Sequence, residues 1–82
     1  SYIEKDEMFN LSELVEKIIE QYGNENILKD LVPRVYYNGR KNLINRCLNN
    51  IIDNALKYAN KIEIKLHKKN TNLFAKIARK FS

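Results

Sequence analysis

The stretch Asn49–Asn60, NNIIDNALKYAN, places four asparagines and a Lys-Tyr pair inside a segment otherwise spaced like a buried helix. Extended backwards, Ile44, Leu48, Ile51, Ile52, Ala55 and Ala59 recur every three or four residues and form one apolar stripe. That periodicity predicts a helix from about Arg40 to Ala59. At roughly 100° per residue the stripe centres near Leu48, Ile51 and Ala55. Asn50, Asn54 and Lys57 make a neighbouring stripe at i, i+4 and i+7, with Tyr58 between the two. The amides are thus expected at an edge where a core helix borders a cleft.

Two readings of that edge stand side by side. Amide oxygens are hard donors that suit Mg²⁺, an ion that keeps several waters and commonly holds substrate phosphates. A lysine one turn further on meets a phosphate as a point charge. The other reading is plain: the chain is rich in asparagine throughout, and amides on a helix are often only solvated surface.

Outward from this helix, the flanking segments alternate in type. Leu11, Leu14, Val15, Ile18, Ile19 and Tyr22 follow helical spacing with acids opposite, which predicts an amphipathic helix. Asn10 is suited to cap it, with Glu13 placed to reach back and Phe9 to staple onto Leu14. Gly23 supplies the stop. After the polar link NENILKD, the segment LVPRVYY reads as a short strand and NGRK as a turn. Beyond Ala59 the period becomes two: KIEIKL is a strand, HKKNTN a turn, and LFAKIA a second antiparallel strand. The expected fold class is α+β, two helices on a small mixed or antiparallel sheet.

Size and composition set limits on this reading. Eighty-two residues allow one small domain that buries about 60 to 65% of its unfolded surface. The first thirty residues hold eight acids and three bases, the remainder two acids and twelve bases. The C-terminal part therefore favours anions, whether nucleic acid, phosphate compounds or an acidic partner. One cysteine, Cys47, and one histidine, His67, exclude an intrachain disulfide framework and a zinc-type ligand set. Cys47 is expected to pack near the apolar face and His67 to sit at a solvent-facing strand end. A reducing, cytoplasmic setting fits this composition, and no apolar run reaches the roughly 20 residues of a membrane span.

Leu43–Ala59, LINRCLNNIIDNALKYA, resembles the N-box helix of sensor histidine kinases of two-component systems. The shared pattern takes in Leu43, Arg46, Leu48, Asn50, Ile51, Ile52, Asn54, Ala55, Lys57 and Tyr58. FNLSELVEKIIEQY is similar to the first helix of the kinase ATP-binding domain and the strand entering it; KIEIKL and LFAKI are similar to the strands after the N-box. The likeness runs from about Phe9 to Ile77 and implies roughly the first half of a Bergerat-type ATP-binding domain at 9–82, with 1–8 as a linker from a dimerisation domain. It implies Asn54 as the Mg²⁺ ligand, Asn50 as support for the metal and phosphate site, Lys57 on phosphate, and Tyr58 lining the ATP pocket. Related ATPases carry a glutamate in place of Asn50 as general base. An amide lacks that basicity, so the resemblance implies phosphoryl transfer to a histidine rather than hydrolysis.

The chain departs from the family in two places. Gly39 is followed by Arg40 where an acid usually caps the helix, leaving Asn38 or Asn42 as substitutes. After LFAKI the family continues into glycine-rich segments that bind adenine and phosphates, whereas this sequence reads ARKFS and has no glycine beyond Gly39. The expectation is a kinase fragment that is not catalytically competent alone and binds Mg-ATP weakly or not at all. Its implied partners are a nucleotide, the rest of a kinase or its dimer mate, and a response regulator reached through an intact parent of a kind that can be membrane-anchored. Two alternatives belong to other classes: an interaction module that docks on a kinase or self-associates, and a small basic nucleic-acid-binding domain built on HKKNTNLFAKIARK. The second lacks a recognition helix or an aromatic sheet platform.

Overall fold

A computed structural model describes residues 3–23, 25–69 and 72–80, with Lys69 and residues 72–80 as backbone only. The elements are β1 (Glu7–Asn10), α1 (Leu11–Tyr22), β2 (Ile27–Leu31), β3 (Tyr36–Gly39), α2 (Lys41–Tyr58), β4 (Lys61–Lys69) and β5 (Asn72–Lys80). This is an α+β fold. β1 and β3 form an antiparallel pair, and a second, mixed sheet has the order β2-β4-β5. In it β4 runs parallel to β2 (Ile27↔Ile62 to Leu31↔Leu66) and antiparallel to β5 (Lys61↔Lys80 to Lys69↔Asn72). A parallel pair needs a long crossover, and β3 with α2 supplies it.

Period-two alternation in β4 buries Ile62, Ile64 and Leu66 while Glu63 and Lys65 stay partly open. The buried positions join one core with Leu14, Val15, Ile18 and Ile19 of α1 and with Ile52 and Ala55 of α2. Both helices therefore lie on one face of the mixed sheet. The outer face carries the charged positions of β4.

α1 begins and ends where its own residues dictate. Asn10 Oδ1 accepts the Glu13 amide at 3.0 Å, and Gly23 closes the helix in the left-handed region at φ 54°, its N–H reaching Glu20 O. A side chain would be strained there. Phe9 is buried, and its ring meets that of Tyr37 edge-on at 6.0 Å. Gly39 serves a different need: an added Cβ would lie 2.6 Å from the Tyr37 ring.

The single strand expected over LVPRVYY is in fact two. β2 draws on ILKDL, which the sequence presents as a polar link, and β3 takes up Asn38 and Gly39 from the expected turn. The break has a local cause. The last bond to the mixed sheet is Val32 N to Leu66 O at 3.1 Å; Pro33 cannot donate the next, and Arg34 turns into the left-handed region at φ 57°. The buried Ser12 pins the loop, donating to Val32 O at 2.6 Å and accepting from Val35 N at 3.0 Å. Val35 is thereby fully buried beneath it.

Candidate functional site

α2 is the helix expected from the stripe, shorter by its flanking residues Arg40 and Ala59. Its rotation differs from the expectation. Only Ile52 and Ala55 are buried, whereas Ile51 is 48% exposed. Measured from the middle of that buried stripe at roughly 100° per residue, Asn50 and Lys57 lie about 170° away, Asn54 about 130° and Tyr58 about 90°. The four site residues are all exposed. The amides thus occupy the outward face rather than the margin of the core. The same rotation brings Cys47, expected to pack against the core, to the surface.

A tyrosine from α1 helps hold this orientation. Tyr22 Oη donates to Asp53 Oδ1 at 2.8 Å, with the Asn49 carbonyl oxygen at 2.9 Å. Burial, and then the Asp53 carboxylate, push the phenol up to about 12. Asn49 in turn spends its amide on Asn45 O at 2.8 Å. It belongs to the framework between the helices. Asp53 is the sole acid of α2; exposed, three residues after Asn50 and four before Lys57, it stands on the same outward face, with Oδ1 taken by the Tyr22 hydroxyl.

That outward face is cationic. Lys57 Nζ stands 5.8 Å from the Tyr58 ring centroid. Arg46, exposed one turn before Asn50, falls on the same face at about 150° from the buried stripe. Arg46 is part of the sequence pattern quoted above but not of the site expected from it. Its i, i+4 spacing from Asn50 is the signal that could have included it.

The chemistry of the donor set follows. Two side-chain amides, two cations and the single Asp53 carboxylate give a hard metal ion oxygen donors on a face that is still net positive, so an ion here would have to arrive with its own anion. Among the described residues no group of three His, Cys, Asp or Glu side chains is placed to hold a metal. Mg²⁺ carried by a polyphosphate fits such a face, since the phosphates supply the negative charge. Bare Mg²⁺ does not.

Compared with known proteins, the chain matches no protein-family model and no curated protein.

An apolar cavity of about 270 Å³ lies on the core side of α2, lined by Val15, Ile18, Leu48, Ile51, Ile64 and Leu66 among others. None of Asn50, Asn54, Lys57 and Tyr58 contributes to its wall. His67 and Lys68 are exposed on β4. Within the basic segment HKKNTNLFAKIARK, the side chains of Lys69, Lys76, Arg79 and Lys80 and of the interleaved Phe74 lie outside the described residues, as does all of Phe81 just beyond it. Among the described residues no helix is long and apolar enough to cross a membrane.

Proposed function

We propose that this chain carries the N-box portion of the Mg-ATP site of a sensor histidine kinase, in the first half of a Bergerat-type ATP-binding domain. The observation that carries the reading is that Asn50, Asn54 and Lys57, in the N-box spacing, share one exposed helix face. Asn54 would hold the Mg²⁺, with Asn50 beside it; Lys57 and Arg46 would meet phosphate oxygens, and Tyr58 would border the nucleotide. The metal, when bound, neutralises charge on the transferring phosphoryl group. An amide at position 50 takes no proton from water, which favours transfer to a protein side chain over hydrolysis.

These residues offer only part of a nucleotide site. With no glycine after Gly39, a glycine-rich phosphate loop must come from outside them, as must a phospho-accepting histidine, since His67 stands on β4. The chain by itself is therefore a weak ligand for nucleotide. In an NMR titration, Mg-ADP should shift the amides of Asn50, Asn54, Lys57 and Tyr58 without saturating below about 1 mM, a binding free energy no stronger than about −4.1 kcal/mol. ADP with chelator should leave them in place. Shifts confined to β4, or none, would overturn the reading; micromolar affinity lost in Asn54→Ala would uphold the kinase assignment and overturn the half-site.

A second reading rests on the sheet order. β5, nine residues long, stands at an edge of the mixed sheet, and a long edge strand is a template for pairing with another chain. An interaction module that self-associates or docks on a kinase would use it. Sedimentation velocity separates the two: a concentration-dependent dimer supports the module, and a strict monomer removes it.

A further inference from the structure

We propose that residues 3–6 form a clasp that holds the first turn of α2, so that displacing the segment frays the start of that helix. The first N–H groups of any helix have no partner within it. Here the first intrahelical bond of α2 is Ile44 N to Arg40 O at 3.0 Å. Arg40, at the N-cap, makes no side-chain cap. The acceptor comes instead from far along the chain. Glu4 Oε2 receives Asn42 N at 2.7 Å and Glu4 Oε1 receives Leu43 N at 3.1 Å. A carboxylate there also suits the positive end of the helix dipole.

Neither Asn38 nor Asn42, the caps that the sequence suggests, takes this role. β1 delivers Glu4 to the spot: its register begins at Glu7↔Gly39, two residues before α2 starts. Residues 3–6 themselves lie outside that ladder, and Ile3 is 77% exposed. The cleft between the segment and Asn42 is open and polar, lined by Ile3, Glu4, Lys5, Asp6, Glu7 and Asn42. Among the described residues, the hydrogen bonds that tie the segment to α2 are those of the Glu4 carboxylate. A cap drawn from the helix's own flank, such as Asn10 on α1, travels with its helix; one drawn from 38 residues away can leave it. The inference rests on these hydrogen bonds and not on the nucleotide reading.

Amide hydrogen exchange on the whole chain tests it. In Glu4→Ala the Asn42 and Leu43 amides should exchange about five-fold faster, while the Glu13 amide, capped by Asn10, keeps its rate. In Arg40→Asp, which offers α2 a local acceptor, those two amides should stay protected while residues 3–6 gain mobility in heteronuclear NOE. The double variant should combine protected amides with a free segment. Unchanged exchange at Asn42 and Leu43 in Glu4→Ala would overturn the clasp, and so would an immobile segment in Arg40→Asp.

Discussion

The two helices do opposite work with similar sequence patterns. α1 buries six of its twelve residues and is capped at both ends by residues next to it in sequence. α2 is half as long again, yet buries two of its eighteen and takes its N-terminal acceptor from Glu4. A helix seated deeply does not offer most of its surface to a ligand. One seated shallowly does, but must borrow stability from its neighbours: the Glu4 carboxylate at one end, Tyr22 along its side.

The sharpest way to break that contrast is to cut equivalent apolar residues from each helix. Ile18→Ala, at a position 2% exposed, should cost about 2–5 kcal/mol in urea unfolding. Ile51→Ala, at a half-exposed position, should cost less than about 1 kcal/mol. Equal losses would mean that α2 is seated as deeply as α1.

Ser12→Ala should cost about 1–3 kcal/mol, because the Val35 amide and the Val32 carbonyl both lose the partner that holds their loop. Near-wild-type stability would place the loop under other control.

Tyr22→Phe probes the loan from α1 to α2. Its phenol is raised in the folded state from 10.0 to about 12, so the folded chain favours the neutral form. The stability contributed is complete below pH 10 and is lost as pH rises through 12. Wild type minus Tyr22→Phe, followed by denaturant midpoint, should be largest below pH 10 and shrink above it. A difference that grows with pH would reverse the assignment.

The smallest effect belongs to the candidate site. Asn50→Ala and Asn54→Ala should each change stability by no more than about 0.5 kcal/mol, since both side chains are exposed. A large loss from either would mean that the amide serves the fold.

How far the sequence could be read depends on the range of the interactions involved. α1 was legible from end to end, because Asn10, the apolar period and Gly23 all act within a few residues of one another. The extent of α2 was equally legible. Its rotation was not: Leu48, Ile51 and Ile52 spread over about 100° of the helix, and any of them could have faced inward until β4 presented Ile62, Ile64 and Leu66. β2 was missed because Lys29 and Asp30 interrupt a five-residue strand whose partner lies 35 positions away in the register Ile27↔Ile62. For the site, the spacing of Asn50, Asn54 and Lys57, and of Arg46 one turn before Asn50, was plain, but the exposed face they share and the bond from Tyr22 to Asp53 required the packed helices.

By itself, the amino-acid sequence determined the α+β class, the two helices, the β4–β5 hairpin and the amide spacing, because each of these follows from periodicity and short-range capping. Tertiary structure alone decided which way α2 faces, where LVPRVYY breaks and which residue caps the second helix. Those outcomes depend on a sheet face, a buried serine and a carboxylate that meet their partners only after the chain has closed on itself.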